Sequence, residues 1–272
     1  MSPSGNFVTV YGQKIHYLEA GQGSVVILLH ALGFDTSDWS NTIAPLSEHF
    51  RVIAFDQVGA GESDKPLINY RPQTWVDFLD GFYQALNLDR ASLIGHSIGG
   101  ATAAAFAIAH PEKVARVVLV DAGYGYAMPT VSDPSQLGHN PGTLHLINPS
   151  TREEARQLLK LTAFAQQPTP READVEQLFA TTARSGYVNQ RFIESFIRHE
   201  DVLDGKLSQL KHPTLILQGR EDGMTPLELS QRFARDIPNS QLAIFDQCGH
   251  SPHSEQPEQF LAAVLPFLGV KG

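Results

Sequence analysis

The chain has 272 residues, 42% hydrophobic and 18% charged, with a formal net charge of -9. That suits one soluble domain with a full core, and the acidic balance argues against nucleic acid or an anionic membrane as partner, because both select clustered Lys and Arg. One cysteine, Cys248, excludes an intramolecular disulfide and fits a reducing cytoplasm, no leader peptide is expected from the first residues, and no apolar run approaches a membrane span.

Phe7 to Val10 and Lys14 to Glu19, on either side of Tyr11-Gly12-Gln13, read as an opening hairpin. Val25 to Leu29 is a continuous β-branched and aliphatic run, as expected of a strand buried on both faces. It ends in His30-Ala31-Leu32-Gly33-Phe34, after which Ser37 or Asp38 can cap a short helix reaching Leu46. A strand over Val52 to Phe55 leads into the glycine-punctuated loop Asp56 to Ser63, where Asp56 is expected to tie down its own loop. Thr74 to Asn87 has helical spacing, and Ala91 to Ile94 is the next strand.

That strand runs into Gly95-His96-Ser97-Ile98-Gly99 and then an Ala-rich helix ending at His110-Pro111. Gly-x-Ser-x-Gly alone is a weak signal, but between a strand and a helix it reads as a turn that lifts a serine hydroxyl above the sheet. The Ile98 N–H at the helix start is then an oxyanion donor. The competing reading is a plain Gly/Ser turn before a core helix. After the strand Val114 to Val120 the alternation stops. Residues 128–205 read as helical, with capping boxes at Ser150 to Glu153 and Thr169 to Glu172 and a third helix over Tyr187 to Ile197. Strands at Thr214 to Leu217 and Gln241 to Phe245, each followed by a helix (Pro226 to Ile237, Pro257 to Phe267), complete a mostly parallel sheet with helices on both faces. The division is a core over 1–127 and 206–272 with a helical lid, 128–205, inserted in it.

A serine nucleophile needs a base, and the base needs an acid to orient it. Asp222 and His250 each follow a strand, in the chain order Ser97, Asp222, His250 that accompanies this serine turn. Asp121 also ends a strand and is the competing acid, while Glu221 reads as solvated. His250 and His253 have a metal-like spacing, but without further ligands His253 reads as structural. His30 and His96 read as loop-fixing, and Cys248 as a small buried residue.

These blocks resemble the α/β-hydrolase-fold serine hydrolases: His30-Ala31-Leu32-Gly33, the Asp56 to Ser63 loop, the serine turn, and the Asp222 and His250 loops, together spanning all but the lid. The resemblance implies Ser97 as nucleophile, His250 as base, Asp222 as acid, and the Leu32 and Ile98 N–H groups as the oxyanion hole. It implies no metal and no cofactor. Many relatives carry His-Gly where this chain has His30-Ala31. Phe34, Tyr124, Tyr126, Met128 and Met224 are expected to line an apolar substrate pocket. The first expectation is a carboxylesterase for small-to-medium esters. The alternatives are an enol-lactonase, a carbon–carbon bond hydrolase of ring-cleavage products, a perhydrolase, or a slow receptor-like regulator. The expected partner is a small ester; a homodimer is left open.

Overall fold

The computed structural model describes residues 4–123, 147–162, 169–198 and 200–271. Eight strands form one sheet: β1 (Ser4–Val10), β2 (Gln13–Ala20), β3 (Val25–Leu29), β4 (Arg51–Phe55), β5 (Ala91–His96), β6 (Val114–Val120), β7 (Thr214–Gly219) and β8 (Ser240–Phe245), in the spatial order β1-β2-β4-β3-β5-β6-β7-β8. The β1–β2 and β2–β4 pairs are antiparallel and the others parallel. The fold is therefore the expected α/β architecture, and the carboxyl ends of β3 to β8 gather along one edge.

The sheet separates two cores. Ile27 and Leu29 of β3 join a core with Trp75, Leu79 and Phe82 of α2 (Pro72–Ala85) and Ala103, Ala104 and Phe106 of α3 (Ile98–Ala109). Val26 and Leu28 point the other way, into a core with Leu46 and with Phe260 and Val264. This alternation follows from the two-residue period of a strand and explains why β3 carries no polar residue. The flanking helices are α1 (Ile43–Ser47), α6 (Leu227–Asp236), α7 (Pro252–Glu255) and α8 (Pro257–Leu268). Between β6 and β7 the described residues hold α4 (Arg152–Thr162), α5 (Glu172–Ile197) and a short 3-10 turn, and no strand.

Four sequence expectations are corrected. The helix expected from Ser37 or Asp38 is split into a 3-10 turn, Thr36–Trp39, and α1; its cap is Asp35, which accepts the Ser37 N–H at 2.9 Å. Asp38 cannot cap because its carboxylate is drawn into the interior. The first capping box lies one residue later than expected: Thr151 accepts the Glu154 N–H at 3.1 Å, and Glu154 accepts the Thr151 N–H at 3.1 Å. Thr169 caps nothing, since α5 begins at Glu172 after Arg171. Finally, the second and third helices expected there are one helix of 26 residues. Within it Gly186 faces Asn148: its carbonyl accepts the Asn148 amide at 2.9 Å, and a Cβ would lie 3.2 Å from Asn148 Oδ1. Glycine admits Asn148 there without ending the helix.

Candidate active site

Ser97 sits between β5 and α3 with φ 53° and ψ -119°, a strained conformation for a residue with a side chain. Two glycines make the turn feasible. A Cβ on Gly95 would lie 2.2 Å from the Gly99 carbonyl oxygen, and one on Gly99 would lie 2.3 Å from that of Leu29. The turn is anchored by the Ser97 N–H, which donates to the Val120 carbonyl at 2.8 Å. Ser97 is half-buried between buried neighbours, and its hydroxyl does not cap its own helix. Gly123 is the near wall, since a Cβ there would lie 3.6 Å from Ser97 Oγ. Sequence reading did not single it out.

His250 and Asp222 come together as the chain order suggested, with Nδ1 and Oδ2 2.7 Å apart and both residues buried. Asp222 is surrounded by donors. Oδ1 accepts the N–H groups of Met224 and Thr225 at 2.7 and 3.0 Å, and Oδ2 accepts the Thr225 hydroxyl and the Gln218 amide. Burial opposes its charge, but His250 and these donors outweigh that and hold the carboxyl below its usual range. Thr225 and Gln218 were invisible as site residues in the sequence, because threonine and glutamine at a strand end carry no distinctive spacing.

Asp121 lies beside this pair rather than in it. Its Oδ1 accepts the Gly219 N–H at 2.8 Å, while Oδ2 is buried with no hydrogen-bond partner among the described residues. Burial first, and then the Asp222 charge, push its carboxyl well above the usual range. The His250 imidazole is thus paired with Asp222, and among the described residues no hydrogen bond joins it to Asp121.

The oxyanion loop is held from beneath. His30 Nε2 accepts the Gln57 N–H at 3.0 Å, so its Nδ1 carries the hydrogen and donates to the Ala31 carbonyl at 2.8 Å. Phe34 N–H closes the turn onto the Ala31 carbonyl at 3.2 Å. The Ala31 N–H donates to Asp38 at 3.2 Å. The Leu32 and Ile98 N–H groups find no acceptor among the described residues. Asp56 ties its own loop as expected, accepting the Thr36 and Glu62 N–H groups at 2.7 and 2.9 Å.

Of the expected pocket residues, Phe34 is half-buried beside the oxyanion loop. Met224 instead packs on a cluster of Ala155, Leu158, Val175 and Leu178 from α4 and α5. Tyr124, Tyr126 and Met128 lie outside the described residues. Helix α4 also reaches the catalytic loops. The Thr162 carbonyl accepts the His250 N–H at 3.2 Å, and a Cβ on Gly223 would lie 2.6 Å from the Leu161 carbonyl oxygen.

Two buried groups bring three ligand-type atoms each within 4.8 Å: Asp38, His96 and His253, and Asp121, Asp222 and His250. Asp38 is hydrogen-bonded to His96 and His253 at 2.8 and 3.2 Å, and Asp222 to His250 at 2.7 Å. Cys248 is buried, and burial pushes its thiol up, so it is no nucleophile. No described helix is long and apolar enough to cross a membrane.

Fold and relatives together define a hydrolase, and residues 24–257 match the family described as alpha/beta hydrolase fold. The chain belongs to that family. It is 34% identical to a 2-hydroxy-6-oxo-2,4-heptadienoate hydrolase of Pseudomonas putida, covering 98% of this chain and 97% of that one. A 2-hydroxymuconate semialdehyde hydrolase from a Pseudomonas species is 30% identical, covering 97% and 93%. Among solved structures, a meta-cleavage product hydrolase from Pseudomonas fluorescens superposes with a TM-score of 0.84 at 30% identity, covering 97% of each chain.

Proposed function

We propose that the chain hydrolyses a carbon–carbon bond in ring-cleavage products of the 2-hydroxy-6-oxo-2,4-dienoate class, through an acyl-enzyme on Ser97. The observation that carries this reading is the likeness to a hydrolase of that substrate class along nearly the whole chain, through the α4–α5 segment as well as the core. It promotes one of the alternatives above the simple ester that the sequence alone puts first.

The chemistry follows from the substrate. The 6-oxo carbon is the electrophile, but breaking its bond to carbon 5 needs a leaving group that can hold an electron pair. Moving the proton of the 2-hydroxyl to carbon 5 gives a 2,6-dioxo-3-ene. Ser97 Oγ then attacks carbon 6 while His250 takes its proton, and the Leu32 and Ile98 N–H groups receive the oxyanion. Carbon 5 leaves with the electron pair, which delocalises to the 2-oxygen and is protonated by His250. Water, with His250 again as base, releases the acid from Ser97. Asp222 fixes the histidine tautomer and supports the imidazolium. Residues 128–205, with α4 and α5, act as the cap that shapes the pocket.

Ester cleavage is the second reading, since it needs only the acyl-enzyme half of this scheme. Turnover of 2-hydroxy-6-oxohepta-2,4-dienoate in ¹⁸O-water, with products read by mass spectrometry, tests the proposal. The expected result is acetate carrying the label beside unlabelled 2-hydroxypenta-2,4-dienoate. An intact dienoate, with rapid hydrolysis of p-nitrophenyl acetate, would return the chain to the esterases.

A further inference from the structure

A second Asp–His pair lies buried behind the first. His96, at the end of β5, places Nδ1 2.8 Å from Asp38 Oδ2 and Nε2 2.7 Å from the main-chain carbonyl of His250. The polarity of these contacts fixes the protonation. A carbonyl only accepts, so Nε2 carries a hydrogen. Asp38 is ringed by donors, its Oδ2 accepting the Ala31 N–H at 3.2 Å and its Oδ1 facing His253 Nε2 at 3.2 Å. An oxygen pair so surrounded is a carboxylate, so Nδ1 of His96 carries a hydrogen as well. A histidine with two N–H groups is an imidazolium.

We propose that His96, held as an imidazolium by Asp38, is a positioning residue that fixes the main chain of His250 and keeps a positive charge behind the base. The proposal takes His250 as that base, and so rests on the reading above. Burial opposes a charge on either partner, yet their pairing outweighs it, holding Asp38 well below the usual carboxylate range and raising His96. The titratable groups facing His96 are Asp38, His253 with ring centroids 4.6 Å apart, His250 at 5.0 Å, and Asp222 at longer range. His253 is pushed down by burial and stays neutral, donating from Nε2. The charge on His96 thus faces His250 while its counter-charge lies on the far side of the ring.

The test has two arms. In ¹⁵N-histidine-labelled protein, the pair of resonances lost in His96→Gln is assigned to His96. It should show the imidazolium pattern, protonated at both nitrogens, from about pH 6 to about pH 9, where a free histidine is neutral for most of the range. A neutral-tautomer pattern at pH 8 overturns the proposal whether or not the chain is an active hydrolase. In the second arm, His96→Gln and the doubly neutral Asp38→Asn/His96→Gln variant are assayed. Both should lose about tenfold or more in kcat with KM little changed, as expected for a displaced catalytic group. Wild-type kcat in a folded double variant also overturns it. Loss of hydrolase activity in the wild type, with the imidazolium intact, would strike the functional reading alone.

Discussion

Around His96 and His250 two buried Asp–His pairs are hydrogen-bonded, and the backbone of His250 is gripped from both sides by His96 and Thr162. The α4–α5 segment is built otherwise. Where α4 meets the first half of α5, the buried cluster is four residues, Ala155, Leu158, Val175 and Leu178, and the outer face carries ion pairs: Arg152 with Glu176, Arg156 with Glu153 and Glu172, Arg171 with Asp174. Exposed pairs of this kind contribute little, because water screens them and long side chains lose entropy in holding them. The contrast locates precision and adaptability in different places. The edge around His250 is fixed by burial and hydrogen bonding; α4 and the first half of α5 share only that small cluster, while the second half of α5 is anchored in the main core by Val188 and by Phe192, which packs on Trp75.

The comparison can be broken most severely at the serine. Ser97→Ala should leave the fold intact and lower kcat by at least about ten thousandfold, since the covalent route disappears; a steady-state assay with a circular-dichroism control checks it. Next comes the acid. Asp222→Asn should cost about a thousandfold or more in kcat, and Asp121→Asn far less. The reverse ranking would move the acid to β6.

Asp121 also gives a pH prediction with a definite sign. Its folded-state pKa is raised, so the stability it contributes is present below the unfolded carboxylate range and lost as pH rises towards the folded value. Asparagine keeps the acceptor for the Gly219 N–H and needs no proton. Asp121→Asn should therefore raise the thermal midpoint at pH 8 and gain little near pH 4, as followed by thermal melts across that range.

The contact between the two regions is sharpened by Gly223→Ala. The new methyl would meet the Leu161 carbonyl, a backbone atom with little freedom to give way. Displacing α4 from the acid loop by a fraction of an ångström should lower kcat about tenfold to a hundredfold. Arg156→Ala, at the other extreme, should leave both the thermal midpoint and kcat unchanged within error, in low salt and high. A clear loss would mean that the surface pairs hold the segment in place.

The sequence made the sheet and the triad candidates legible because both rest on strong local signals. Val25 to Leu29 and Val114 to Val120 are uninterrupted buried runs, and Gly95 and Gly99 are demanded by backbone approach closer than any side chain allows. What stayed hidden depends on long-range contact. Asp38 looked like a helix cap until its partner, His96, 58 positions away, drew it inward. Preference between an ester and a carbon–carbon bond was equally illegible, since both use the same serine, histidine and aspartate.

The most direct test of the central claim is therefore a competition on one enzyme preparation, comparing kcat/KM for 2-hydroxy-6-oxohepta-2,4-dienoate with that for p-nitrophenyl acetate. Both would deliver the same acetyl group to Ser97, so the ratio isolates recognition of the leaving fragment. A preference for the dienoate of about a hundredfold or more, close to 3 kcal/mol in transition-state binding, is the predicted result. Equal values, or a preference for the acetate ester, would contradict it.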